Sequence, residues 1–262
     1  MSVDMSSDPS PPLLLVTGAG GGIGQGVIGA ALARGWRVAA VSRRPPEPSL
    51  AGVSDSARSL YVVADVSTAD GAAAAFDAAV AHFGEAPSRL CHAAGNVKLG
   101  PIERCSEDHW RQVMAANLDS AFFTLQAYGR ARGDAPGGAA VLFSSVAARI
   151  GTPGHAAVAA AKAGVEGLVR ALAADWSPRG RRINAIALGL TETPMTEGFT
   201  RGERSRQAVT VQYPLARLGR VAETAGWAMQ LLDEDSWMTG QVLSLDGGFT
   251  AVRPLVRATP TP

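Results

Sequence analysis

The chain has 262 residues, 47% of them apolar and 18% charged, with a formal net charge of +1. That length suits one α/β domain with a sizeable core. The near-neutral balance gives no electrostatic footprint for nucleic acid or an anionic membrane, and no apolar run reaches the roughly 18 residues a span needs. Two cysteines, Cys91 and Cys105, stand apart from any CxxC or histidine cluster. They read as reduced thiols of a cytoplasmic protein with no metal site. Of 24 basic residues only Lys98 and Lys162 are lysine, so each lysine invites a question.

Residues 1–12 are polar, lack a basic start and an apolar core, and read as a flexible leader rather than a secretory signal. Leu13 to Val16 is a short apolar run of the kind a buried parallel strand shows. Glycines 18, 20, 21, 22 and 24 follow at once, and Ile23 to Arg34 reads as a helix. A strand running through a glycine turn into a helix N-terminus makes an anion site, because the backbone can come close and the free N–H groups face the ligand. Thr17-Gly18-x-x-x-Gly22-x-Gly24 resembles the TGxxxGxG pattern of the short-chain dehydrogenase/reductase family. The resemblance implies a single-domain Rossmann fold, a doubly wound parallel sheet, with a dinucleotide pyrophosphate on Gly18, Gly22, Ile23 and Gly24.

Further along, Trp36 to Val41 reads as a second strand and ends in Ser42-Arg43-Arg44 before two prolines. At this place in a Rossmann unit an acid binds the ribose 2′-hydroxyl, whereas an arginine suits a 2′-phosphate. No acid is present, so Ser42 and Arg43 favour NADP(H) over NAD(H). A third strand, Leu60 to Ala64, closes at Asp65-Val66. The resemblance sets Asp65 against the adenine; by itself it also reads as an N-cap for the helix Ala72–Phe83. The strand Leu90–Ala93 runs into Ala94-Gly95, where the family usually has NNAG and this chain has His92-Ala93-Ala94-Gly95. His92 reads as a strand-end histidine with a structural hydrogen bond.

Glu107 to Arg132 reads as one long helix, with Trp110, Val113, Met114, Leu118, Ala121, Phe122 and Leu125 on its buried face. Asn117 projects toward that face and needs its amide satisfied. In the resembled family this asparagine holds a water beside the active-site lysine. Ala139 to Phe143 forms a fifth strand ending at Ser144-Ser145, and His155 to Trp176 a helix with Val158, Lys162, Val165 and Val169 on one stripe. Arg182 to Ala187 leads to Leu188-Gly189-Leu190-Thr191-Glu192-Thr193, where the family has PGxxxT and its threonine contacts the nicotinamide carboxamide. Residues 194–220 hold no firm pattern and resemble the family's mobile substrate lid. Val221 to Leu232 reads as a helix. The segment 239–248 matches the family's last strand and closing Asp-Gly-Gly, and 251–262 forms a tail. Strands alternating with helices point independently to a doubly wound sheet.

Hydride transfer to a carbonyl leaves charge on oxygen, so a proton donor must stand within reach. The family supplies a tyrosine in a YxxxK helix and a serine thirteen residues earlier. Here Lys162 and Ser145 hold their places and position 158 is valine. The resemblance therefore implies Ser145, Lys162 and Asn117 as catalytic residues, and Asp65, Val66, Ala94, Gly95, Lys162 and Thr193 along the cofactor, without the usual acid. Two readings stay open. One is an NADP(H)-dependent oxidoreductase whose proton comes from Ser145, a water between Asn117 and Lys162, His155 in the loop before the helix, or Tyr213 once the lid closes. The other is a nucleotide-binding sensor or structural partner that catalyses no redox chemistry. The resemblance implies a small-molecule substrate and a homotetramer, with the helices from Glu107 and around Lys162 at a subunit interface.

Overall fold

Runs of valine, leucine and alanine, buried on both faces, form the spine of the molecule. A computed structural model describes residues 10–45 and 56–252. Residues 1–9 of the leader and 253–262 of the tail lie outside the described residues. The main sheet is β1 (Leu13–Thr17), β2 (Arg37–Ser42), β3 (Ser59–Val63), β4 (Arg89–His92), β5 (Ala139–Ser145), β6 (Arg182–Leu188) and β9 (Val242–Leu245). They are ordered β3-β2-β1-β4-β5-β6-β9, and every neighbouring pair is parallel. Chain order reverses between β1 and β4, the crevice where open α/β sheets take their ligands. A two-stranded ladder, β7 (Thr191–Glu192) with β8 (Gly219–Arg220), braces the loop after β6.

Helices cover both faces. On one, α1 (Gly22–Ala33) and α8 (Val221–Leu232) pack together over a core that includes Val27, Ile28, Ala228 and Met229. On the other, α2 (Ala69–Phe83), α4 (Ser120–Arg132) and α5 (Ala156–Trp176) enclose Phe76, Leu125, Tyr128, Val165 and Trp176. Thr68 caps α2, its Oγ1 accepting the Gly71 N–H at 3.1 Å. Asp65 is therefore not the cap. Its carboxylate accepts the Ser67 N–H and hydroxyl at 3.0 and 2.7 Å.

The segment expected as one helix from Glu107 to Arg132 is α3 (Glu107–Met114) joined to α4 through a π turn, Ala115–Asp119. The cause is Asn117, whose Nδ2 donates to the Val113 carbonyl at 3.0 Å and so inserts into the backbone ladder. An extra residue in the turn rotates the downstream face. Phe122 is 46% exposed, and Trp110 is also exposed, contrary to the expected stripe; Val113 is the one α3 residue fully buried. Residues 194–220, expected without pattern, contain α6 (Glu197–Thr200) and α7 (Glu203–Thr210). The short, polar α7 buries no residue, so it shows no periodic apolar signal.

Candidate active site

The glycine loop sits at the reversal point. Gly18 has φ +67°, and a Cβ there would lie 2.5 Å from the Ala93 backbone on the other side of the crevice, so only glycine fits. A Cβ at Gly22 would press on the Thr193 side chain at 3.2 Å, bringing two expected cofactor residues together. The loop also lies against Ser42, whose Oγ is 3.4 Å from a Cβ built on Gly20. The first turn of α1 carries neither a side-chain cap nor an acidic residue. Its orphan N–H groups and positive dipole end are left for an anion. These residues fit a dinucleotide pyrophosphate.

Beyond the β2 terminus, Arg43 is exposed and exerts its field on Asp65. Burial alone would raise the Asp65 carboxyl; the two Ser67 bonds and the Arg43 guanidinium outweigh it and hold the group below the usual carboxylate range. Val66 points its side chain into the core.

From the glycine loop a cleft of about 320 Å³ opens over the C-terminal ends of β4, β5 and β6. Ile23, Ala94, Gly95, Asn117, Ser145, Val158, Lys162 and Thr193 line it, all expected from the sequence. The floor is made by α5. Val158 and Lys162 lie one turn apart, and Val158 is closed in by Val113, Ala157 and Ala161. The Lys162 ammonium donates to the Phe143 carbonyl at 2.9 Å, and desolvation pulls its pKa down to about 8. Ser145 Oγ accepts the Ala147 N–H at 3.2 Å, which fixes the turn after β5.

Asn117 is tied more tightly than the sequence implied. Its Nδ2 also donates to Asn96 O and Oδ1, at 3.2 and 2.9 Å, while its Oδ1 accepts the Asn96 N–H at 3.3 Å. A Cβ at Gly95 would stand 2.8 Å from Asn117 Oδ1 and 3.5 Å from Lys162 Nζ. Gly95 is thus the contact point of the asparagine and the lysine. Sequence reasoning missed Asn96; its signal was an asparagine directly after the Ala-Gly pair that follows β4.

His92 has the structural role expected, in a longer chain of bonds. Ser120 Oγ gives its one proton to the Ala116 carbonyl at 2.7 Å, so it must accept from His92 Nε2 at 3.2 Å. His92 Nδ1 then accepts from Thr17 Oγ1 at 2.9 Å. The imidazole is a neutral Nε2–H tautomer. Burial, with Lys162 adding to it, drives its pKa down to about 3.

Two residues expected in a loop and a lid belong to the cleft wall. His155 is the N-cap residue of α5 and half-buried, with Nδ1 2.7 Å from the Pro153 carbonyl. Tyr213 needs no closure to reach the wall; its hydroxyl accepts the Leu190 N–H at 2.7 Å and its ring packs on Phe249. Thr193 is held by Thr196, whose Oγ1 accepts the Thr193 N–H at 3.0 Å.

A family model described as enoyl-(acyl carrier protein) reductase matches residues 18–250. The chain belongs to the short-chain dehydrogenase/reductase family. It is an oxidoreductase of that family. It is 34% identical over 254 residues to the D-threitol dehydrogenase of Mycolicibacterium smegmatis, covering 95% of this chain and 97% of the relative. It is 36% identical over 242 residues to the galactitol 2-dehydrogenase (L-tagatose-forming) of Cereibacter sphaeroides, covering 90% and 93%. Among solved structures, an Agrobacterium tumefaciens protein assigned as a 2-deoxy-D-gluconate 3-dehydrogenase, with bound NADP, superposes with a TM-score of 0.82 at 30% identity, covering 92% and 97%. Among the described residues no helix is long and apolar enough to cross a membrane, and no histidine, cysteine and carboxylate cluster could hold a metal ion.

Proposed function

We propose that this chain is an NADP(H)-dependent oxidoreductase that interconverts an alcohol and a carbonyl compound with an apolar body, and that its proton comes from a group other than a tyrosine at position 158. The observation that carries this reading is the meeting of Ser145, Lys162, Asn117 and the glycine-loop residue Ile23 on one cleft at the crevice of the sheet. A pure nucleotide binder has little need of Ser145 on that wall. When bound, the reduced nicotinamide supplies a hydride. The protein's residues have other tasks. The glycine loop and the uncapped first turn of α1 hold the pyrophosphate; Arg43 meets a 2′-phosphate; the Lys162 ammonium holds the nicotinamide ribose; Thr193 faces the carboxamide. Ser145 Oγ polarises the substrate oxygen, and Asn117 holds Gly95 and Lys162 in register.

An NADP-bound relative supports the cofactor choice. The relatives named for threitol and galactitol act on polyols, but here the cleft is walled by Val97, Leu99, Met195, Phe199, Val209 and Phe249. Such walls bind an apolar body better than a row of hydroxyls, which would lose water without gaining partners. Following NADPH and NADH oxidation over a panel of aliphatic and aryl ketones, with ketoses in parallel, tests the reading. Turnover with NADPH, faster on the apolar ketones, is expected. NADPH binding with no turnover of any compound would leave a nucleotide-binding protein instead.

A further inference from the structure

We infer that His155 is the group that exchanges the proton with the substrate oxygen, taking the place of the missing tyrosine. The inference rests on the oxidoreductase reading above. His155, Val158 and Lys162 are spaced three and four residues apart at the start of α5, and all three line the cleft with Ser145. At 100° per residue they fall within one narrow face. Side chains on a helix lean toward its N-terminus, so a long side chain at position 158 would cover the turn that begins at His155. The imidazole therefore borders the space a phenol would occupy.

The local chain is built to present it. Gly154 adopts φ +73°, packed against Gly100, and this left-handed residue turns the backbone into α5. The His155 carbonyl then accepts the Ala159 N–H at 2.7 Å and opens the helix. A carbonyl only accepts, so the contact with Pro153 O makes Nδ1 the protonated nitrogen. Among the described residues Nε2 has no hydrogen-bond partner, which leaves it free to carry the exchanging proton.

The other candidates are worse placed. Tyr213 already uses its oxygen on Leu190 N–H, and burial raises the phenol above its ordinary range, with Asp246 adding to the rise, so releasing its proton costs more. Serine is too weak an acid to yield a free alkoxide, and the Lys162 ammonium is taken up by the nicotinamide ribose on the reading above, with Phe143 O as a further acceptor. The titratable groups sharing the cleft wall with His155 are Lys162 and Tyr213. The loop that meets Gly154 through Gly100 carries Lys98, whose ammonium donates to the Gln112 side chain.

The step balances. In reduction the carbonyl carbon receives the hydride from the nicotinamide, a C–H bond forms, and the C=O π pair moves to oxygen. That oxygen takes the proton from Nε2 of the imidazolium, leaving a neutral imidazole that still donates from Nδ1 to Pro153. Oxidation runs the same transfers backward from the neutral imidazole.

The test uses the full chain, NADPH and the fastest ketone of the panel. His155→Ala and His155→Gln should both lose about 10²–10⁴-fold in kcat with NADPH affinity unchanged. Independently of activity, ¹⁵N-histidine NMR, assigned by difference with His155→Gln, should show the neutral ring protonated on Nδ1. Activity of either variant within threefold of wild type, loss of NADPH binding, or an Nε2–H tautomer would overturn the assignment while leaving the oxidoreductase reading intact. A wild type silent across the whole panel would instead sink that reading, and this one with it.

Discussion

Position 158 decides how this site works. An aliphatic side chain there can neither give nor take a proton, and Val158 is only 3% exposed, wedged on Val113, Ala157 and Ala161. If His155 carries the proton, Val158→Tyr on the His155→Ala background should recover at least about tenfold in kcat, because the phenol then enters the space the imidazole left; steady-state kinetics on the same ketone measures it. Arg43→Ala should weaken NADPH by about 1.5–3 kcal/mol, roughly ten- to a hundredfold, and leave NADH nearly unchanged, as calorimetry can show. A third residue acts on stability. The His92 pKa is about 3 when folded, below its unfolded value, so between those two values the unfolded chain binds the extra proton. Stability is therefore complete above the ordinary histidine range and falls as pH drops through it toward 3, by up to about 1.4 kcal/mol per pH unit. Urea unfolding from pH 6.5 down to 4.5 should show a steeper loss in wild type than in His92→Gln.

Elements near the site are locked to one another by polar groups. Glu166 on α5 is buried and accepts the Ser144 hydroxyl of β5 at 2.9 Å and the Arg149 guanidinium at 3.2 Å. Arg149 also donates to the Val242 carbonyl and to Ser244 of β9, at 2.8 and 3.1 Å. One ion pair thus joins the strand that presents Ser145, the helix that presents Lys162 and the last strand. Arg149→Ala would leave Glu166 buried with the Ser144 hydroxyl and the distant Arg170, and a buried carboxylate short of its counter-charge is costly. With Arg149 a third exposed, the expected loss is about 2–3 kcal/mol in urea unfolding, above the loss for Arg149→Lys. The π turn is another such element. It was not legible in the sequence because the apolar spacing of 107–132 fits an ordinary helix; only Asn96, brought across from the end of β4, gives Asn117 the partners that make the insertion worth keeping.

At the scale of the molecule, the exposed Phe122 and Trp110, with Ala160 and Ala163 exposed on α5, offer faces where a second copy can pack closely. The chain is expected to be a homotetramer, built as the resembled family is on the helices from Glu107 and around Lys162. Light scattering at micromolar concentration should give about four times 26.9 kDa, and Phe122→Glu should shift the mass downward. The sequence by itself determined the sheet, the glycine loop and the places of Ser145, Lys162 and Thr193. Those depend on local patterns: buried apolar runs, glycines where backbone must pass backbone, and fixed spacing along one helix. The tertiary structure decided what depends on groups far apart in the chain. It joined Asn96 to Asn117, made His92 a buried bridge between Thr17 and Ser120, set Tyr213 against Leu190, and placed His155 on the cleft wall. A polar side chain in a sequence declares only that it needs partners; which partners it finds is settled when the sheet brings its strands together.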